Sequence, residues 1–254
     1  MLKAELSRNY ISVDHDGRPS YGGSQDWFKG MLGICGCSVI GARDLLWYLE
    51  DAKRPSGNAA GMAQQADDDL PVRADATCLS DEEYQAHIRR IRKFFFLIPF
   101  RGIPGFLTAP LLGIYMMRNR LPYKVHWGAG RAGIQKTAAA MLKHDIPVPV
   151  CIGNCVHQFF HKPLYHGLRF YEKRQTGENA EPSQEGKEQA QGKTEYIWVK
   201  TVRNHMVVLT GIRGKWGRVS SWGREYYIDL SELEDLSKKD AFGFFTNIIR
   251  IRRA

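Results

Sequence analysis

The chain has 254 residues, of which 43% are hydrophobic and 11% aromatic, and its formal net charge is +9. This length suits one large domain with inserted segments, and the hydrophobic fraction can fill a sizeable core. The positive charge favours acidic surfaces or substrates, although the basic residues are scattered along the chain. The sequence contains no zinc finger, glycine-rich phosphate loop or aromatic RNA motif, so we expect no nucleic acid partner.

Cysteine usage and the charged N-terminal stretch MLKAELSRN predict a cytoplasmic protein. The five cysteines are an odd count without a disulfide framework, and the N-terminal stretch lacks the apolar region of a signal peptide. The most apolar segment, Phe94–Met117, is interrupted by prolines and glycines, so we interpret it as two core helices joined by a turn. A peripheral membrane contact through residues 94–117 is the alternative.

The first part of the chain is polar and then aromatic. Residues 1–20 are polar and are expected to be loosely attached. Tyr21–Phe28, with the sequence YGGSQDWF, begins with a glycine pair that favours a turn and continues with Gln25. If Gln25 belongs to the same site as the cysteines downstream, Lys29–Ile34 must form a looped insertion.

A short Gly/Cys turn runs into an amphipathic helix within Gly33–Leu49, GICGCSVIGARDLLWYL. The apolar residues on one helical face recur at spacings of three and four, and they are Val39, Ala42, Leu46 and Leu49. A cysteine at a helix N-terminus meets unpaired N–H groups and the positive end of the helix dipole, which favour the nucleophilic thiolate. The alternative is a buried thiol that only fills space. The turn contains two candidates, Cys35 and Cys37.

The middle of the chain is predicted to be mainly helical. Residues 51–76 are rich in Ala, Gly, Asp and Pro and are expected to form a flexible insertion. Ser80 and Glu83 form a capping box for a helix. Further predicted elements are helices over about 105–119 and 131–144 and strands over 123–127 and 146–152. We expect the last of these strands at a sheet edge or bulge, because it contains Pro147 and Pro149.

A cluster of thiols and imidazoles precedes a second insertion. Its members are Cys151, Cys155, His157, His161 and His166. Such residues suggest a zinc site, but aromatic residues interrupt the cluster and no second ligand pair has a standard spacing. Residues 171–194 include GENAEPSQEGKEQAQG, which lacks large apolar residues and predicts a flexible insertion. We therefore interpret the cluster as scattered histidines of a flexible hairpin and expect no metal site.

From Glu195 onward the chain is predicted to be mainly β. The predicted strands are residues 196–201, 205–212, 218–222, 225–230 and 242–252. Ser231 with Glu234 forms a second capping box for a short helix. Helices first and antiparallel strands afterwards indicate an α+β fold in a single domain, 1–254, with a cleft between the two parts.

Two blocks of sequence carry a resemblance. GCSVIGARDLLWYL is followed far downstream by NHMVVLTG and SSWG, and together they cover about a quarter of the chain. They resemble the papain-like cysteine peptidases, nearest the bacterial bacteriocin-processing branch. The resemblance implies a central helix that bears the nucleophilic cysteine and packs on a C-terminal antiparallel sheet, with the base His205 on a strand. Alignment of the helix selects Cys37 as the nucleophile, whereas alignment on Cys-Gly alone selects Cys35.

The resemblance also implies supporting residues. Where the family has an Asn or Asp that orients the histidine, this chain has Ser220, or Ser221 if the register slips. A hydroxyl offers no negative charge to an imidazolium, so its assistance should be weaker. Trp222 would shield the His–Ser hydrogen bond from water. Gln25 matches in type and order a glutamine that donates its amide to the oxyanion hole, and the alternative is a surface glutamine beside packed aromatic residues.

The activity implied by these residues is that of a thiol-dependent peptidase or amidase acting on a peptide or protein substrate through a Cys–His pair, without a cofactor. The alternative is a catalytically weak or inactive papain-like domain that binds peptides or protein partners.

Overall fold

The computed structural model describes residues 1–51, 78–98, 102–153, 167–176, 193–240 and 243–254. Most of the insertions expected at 51–76 and 171–194 lies outside the described residues, as does the thiol–imidazole cluster from residue 154 to 166. Within the described ranges, no helix combines the length and the apolar character that a membrane crossing needs.

The described residues contain six α-helices and twelve β-strands. The helices are α1 (Met31–Cys35), α2 (Cys37–Asp51), α3 (Asp81–Arg92), α4 (Gly105–Arg118), α5 (Ile134–Lys143) and α6 (Leu230–Lys239). The strands are β1 (Lys3–Glu5), β2 (Ser12–His15), β3 (Arg18–Pro19), β4 (Cys78–Ser80), β5 (Tyr123–Trp127), β6 (Val148–Ile152), β7 (Leu168–Thr176), β8 (Lys193–Val202), β9 (His205–Arg213), β10 (Trp216–Ser221), β11 (Arg224–Asp229) and β12 (Asn247–Arg253). The predicted capping box of α3 is confirmed, because the Ser80 hydroxyl accepts the Glu83 N–H at 3.2 Å.

Nine strands form one large antiparallel sheet. Its order is β5-β12-β6-β9-β10-β11-β7-β8, and β1 also pairs with β9. Strand β6 pairs with the first half of β9, and β1 pairs with its last residues. A second sheet has the order β3-β2-β4. The α+β class is confirmed, whereas the papain-like assignment remains a prediction.

Helix α2 packs on strand β9. The predicted apolar face is buried and consists of Val39, Ala42, Leu46 and Leu49. Gly41 lies against the strand, because a Cβ there would be 3.3 Å from the Met206 side chain and 3.6 Å from that of Val208. This close packing sets Cys37, the first residue of α2, near the strand that begins with His205.

The prediction that residues 1–20 are loosely attached is wrong. Strand β1 extends the large sheet, and Tyr10 and Val13 are buried. Asp145 fastens the same segment, since its carboxylate accepts the Ser7 N–H at 2.7 Å and lies 3.3 Å from the Arg8 guanidinium. The buried residues of this segment alternate with polar ones, so its overall composition is polar and does not indicate that it is packed.

Two predicted strand features are also wrong. Strand β6 is internal, between β12 and β9, rather than at an edge. Pro149 has no N–H to donate, and it fits there because β12 pairs only with the two residues that follow it, Val150 and Cys151. Residues 171–176 and 193–194, assigned to a flexible insertion, belong to the paired strands β7 and β8.

The second capping box is wrong in detail. Asp229 caps α6, because its carboxylate accepts the Ser231 N–H at 2.9 Å. Glu234 instead accepts the Gln135 N–H at the start of α5, at 3.4 Å. The chain enters the helix directly from β11, so the acidic strand end serves as the cap.

Candidate active site

Cys37 stands at a tight junction between two helices. Helix α1 ends at Cys35, and Gly36 alone separates it from α2. A Cβ at Gly36 would overlap the Leu32 carbonyl oxygen, so glycine is required at this close approach. The looped insertion expected at Lys29–Ile34 is therefore partly replaced by a short helix.

The surroundings of Cys37 favour the neutral thiol. Burial raises the pKa of the Cys37 thiol, and this outweighs the lowering effect of the Met206 N–H and of hydrogen bonds with Ser38. The helix N-terminus therefore does not produce a resting thiolate, contrary to the expectation from its position. The residue as a whole is half-buried and lines a cavity.

Two other thiols line the same cavity and are poor nucleophile candidates. The Cys35 Sγ donates to the Met31 carbonyl at 3.2 Å, within its own helix. Cys151 is buried, and burial together with nearby Cys37 raises its pKa well above the ordinary value. Of the three sulfurs, only that of Cys37 also lines the smaller cavity formed with His205 and Ser221.

His205 is held between a serine and an indole. Its Nε2 lies 2.8 Å from the Ser221 Oγ, and its ring stacks on Trp222 with a centroid distance of 4.1 Å and an interplanar angle of 6°. The imidazole is buried, and burial, followed by the charge of Lys200, lowers its pKa to about 3. When Ser221 accepts a proton from Nε2, Nδ1 carries the lone pair that can take a proton from a thiol.

The hydroxyl within hydrogen-bond distance of His205 belongs to Ser221, not to Ser220. Adjacent residues of a strand point to opposite faces, and the Ser220 Oγ donates to the Tyr21 carbonyl at 2.7 Å. The pairing of β9 with β10 shifts by one residue between Arg218 and Val219. This shift decides which serine meets the histidine, and it has no signature in the sequence.

Cys37 and His205 share two small cavities. The larger, of about 170 Å³, also contains Gln25 and Ser38, and the smaller, of about 20 Å³, contains Ser221. Among the described residues there is no hydrogen bond between Cys37 and His205. The structure thus brings thiol and imidazole to one site as a neutral pair.

Gln25 reaches the same site. It lies on a 3₁₀ turn, Gln25–Trp27, that Ser24 caps by accepting the Asp26 N–H at 3.1 Å. Its Nε2 donates to the Gly33 carbonyl at 3.2 Å, and its Oε1 is buried without a partner within the described residues. One amide hydrogen therefore fixes the side chain, and the second remains for a ligand in the cavity.

Asp44 is a site residue that sequence reasoning missed. It lies on α2 and lines the smaller cavity. Its carboxylate accepts the Gly23 N–H at 2.9 Å and the Tyr84 hydroxyl at 2.7 Å, and burial raises its pKa to about 6. The signal available in the sequence was a lone carboxylate in the apolar stretch that follows Cys37.

The part of the chain that the structure describes holds no group of three or more side chains suited to a metal ion. No protein-family model, curated protein or solved structure matches the chain. The chemistry of the site itself therefore carries the functional interpretation.

Proposed function

We propose that this chain is a thiol-dependent peptidase or amidase with a papain-like arrangement, in which Cys37 is the nucleophile and His205 the base. The observation that carries the proposal is that a thiol at a helix start and a hydroxyl-bonded imidazole at a strand start line the same cavity. The second-choice nucleophile, Cys35, is bonded within its own helix.

The first half-reaction forms a thioester. His205 Nδ1 takes the Cys37 proton as the sulfur attacks the carbonyl carbon of a peptide or amide, because neither group is charged at rest. The Cys37 N–H and the free amide hydrogen of Gln25 are the donors for the oxyanion. The imidazolium then protonates the leaving nitrogen as the C–N bond breaks.

The second half-reaction releases the acid. His205 takes a proton from water, the water oxygen bonds to the thioester carbon, and the C–S bond breaks. The proton returns to the Cys37 sulfur, which restores the neutral pair. By accepting from Nε2, the Ser221 hydroxyl leaves the lone pair of the neutral imidazole on Nδ1, but it adds no negative charge to the imidazolium, so we expect slow turnover.

Substitution of each cysteine tests the proposal. The full-length protein, Cys37→Ala and Cys35→Ala are incubated with a positional peptide library, and the products are identified by mass spectrometry. We expect hydrolysis by the wild type and by Cys35→Ala, and none above the uncatalysed rate by Cys37→Ala. Cleavage that persists in Cys37→Ala, or that is lost only in Cys35→Ala, would refute the assignment.

A second function, peptide or protein binding without turnover, is favoured by one observation. The pKa of the Cys37 thiol is raised and that of His205 is lowered to about 3, and both shifts oppose a reactive ion pair. A library peptide that is retained intact by wild type and Cys37→Ala alike would support this function.

The free thiols of Cys35, Cys37, Cys78 and Cys151 support a reducing, cytoplasmic location for either function.

A further inference from the structure

Trp222 separates the imidazole of His205 from a lysine. The Lys200 Nζ lies 3.4 Å from the centroid of the Trp222 ring, and the His205 ring stacks on the same indole at 4.1 Å. An ammonium and a parallel imidazole at these distances cannot share one face of the ring without overlap. Lys200 and His205 therefore occupy opposite faces of Trp222.

The indole is fixed in this position by its backbone and its neighbours. Trp222 has a positive φ of 49° and begins the turn between β10 and β11, followed by Gly223 with φ of 70°. The rings of Phe170 and Tyr226 lie 5.9 and 6.1 Å from its own. A non-glycine residue in this conformation is uncommon, and strained residues cluster at functional sites.

The charges around the imidazole are few. His205 contacts the hydroxyl of Ser221 and the indole of Trp222, and it shares a cavity with the thiol of Cys37 and with the carboxyl of Asp44, whose pKa is raised to about 6. Lys200 is the charged side chain whose field lowers the pKa of His205, in addition to burial.

The lysine itself sits among three charged residues. Asp26 and Glu172 raise its pKa, Arg224 lowers it, and burial lowers it most. None of these four effects removes the ammonium charge at neutral pH, because the ordinary lysine pKa is far above 7. The ammonium on the ring face is therefore charged at neutral pH.

We propose that Lys200 is a positioning residue that acts on His205 through Trp222: its ammonium packs on the indole face opposite the imidazole, holds the indole in place and, together with burial, opposes a positive charge on the imidazole. The Lys200 ammonium is attracted to the electron-rich face of the indole, and this contact holds the indole in place. The same charge opposes a second positive charge on the imidazole, which lies on the other face. The role in catalysis depends on the proposed function, whereas the effect on protonation does not.

Titration of His205 tests this role without reference to activity. Proton–nitrogen correlation spectra of the full-length protein report the protonation of each imidazole, and His205→Asn identifies the resonances of His205. In Lys200→Met we expect the protonation midpoint of His205 to move upward by roughly one pH unit, as for like charges across a ring at an effective dielectric constant near 20. Lys200→Arg, which keeps the charge and the ring contact, should restore the wild-type midpoint.

Lys215 supplies a matched control. Its Nζ lies 4.9 Å from the centroid of Trp216, a lysine–tryptophan contact elsewhere on the sheet. Lys215→Met should leave the midpoint of His205 unchanged, and Lys200→Gln serves as the second uncharged variant if Lys200→Met does not fold. An unchanged midpoint in the uncharged Lys200 variant, or an equal shift in Lys215→Met, would overturn the proposal. Absence of peptide hydrolysis would instead count against the proposed function alone.

Discussion

A hydroxyl and a carboxylate orient an imidazole through the same kind of hydrogen bond, but only the carboxylate stabilises the imidazolium. The His205 ring has the hydroxyl of Ser221 on one nitrogen and a lysine beyond the stacked indole. Burial and the lysine favour a neutral ring, and the hydroxyl adds no negative charge that would oppose them. A site of this kind suits a base that acts only during the attack, rather than a preformed ion pair.

Replacement of the two neighbouring serines separates the orienting role from a structural one. Ser221→Ala removes the hydroxyl on His205 Nε2, and we expect kcat/KM to fall about 3- to 10-fold, the value of one neutral hydrogen bond. Ser220→Ala removes the bond to the Tyr21 carbonyl, so its main effect should be a loss of about 1 kcal/mol in the free energy of unfolding. Peptide hydrolysis and urea unfolding are measured for both variants. A larger kinetic loss in Ser220→Ala would show that the register is misassigned.

At the scale of elements, helix α2 supplies two functional positions. Its first residue, Cys37, enters the cavity, and Asp44 fastens the Gly22–Gln25 loop to the same helix through the Gly23 N–H. The loop then carries Gln25 to the sulfur. A shift of the helix along the sheet would thus move the proposed nucleophile, Cys37, and the proposed oxyanion donor, Gln25, together.

The buried carboxylate of Asp44 should make stability depend on pH. Its folded pKa of about 6 lies above the ordinary value of 3.8, so the folded state binds the proton more tightly than the unfolded state. The stabilising effect of this protonation is fully present below about pH 4 and is lost as the pH rises through 6. We therefore expect the stability of the wild type relative to Asp44→Asn to fall by about 2.4 kcal/mol between pH 4 and pH 7.

Urea unfolding at both pH values measures this difference directly. Asp235→Asn, which alters a carboxylate with 65% of its side-chain surface exposed, is the control and should show a much smaller change with pH. A wild-type-to-Asp44→Asn difference that is the same at pH 4 and pH 7 would contradict the expected coupling.

At the scale of the whole molecule, periodicity and capping predicted helices α2 to α6 and the long apolar strands, but not the short helix α1. The face of α2, the Ser80 cap and the strand that begins at His205 follow from local pattern alone. Local pattern could not decide between Ser220 and Ser221, because that choice depends on a shift in strand register. Local pattern also could not give the protonation state of Cys37, since the effect of burial on its pKa outweighs the effect expected from the helix N-terminus.

The packing of the N-terminal segment also could not be predicted from local pattern, because contacts with distant parts of the chain hold it. Strand β1 pairs with the end of β9, and the carboxylate of Asp145 accepts the Ser7 N–H at 2.7 Å and the Tyr48 hydroxyl at 2.6 Å. Tyr48 belongs to α2, so a single carboxylate joins the first residues of the chain to the helix that bears Cys37. We expect its loss to loosen the segment and to lower the stability of the whole domain.

Asp145→Asn tests this connection with little effect on the backbone. Asp145 has a positive φ of 58°, a conformation that Asn also tolerates, so the substitution removes the charge and one acceptor oxygen. The free energy of unfolding should fall by about 1–3 kcal/mol, and amide exchange of β1 should accelerate. Asp16→Asn is the matched control, because Asp16 has a similar φ of 53° but a side chain that is 88% exposed. Equal stability and equal β1 exchange in the two variants would show that the N-terminal segment is held by its strand pairing alone.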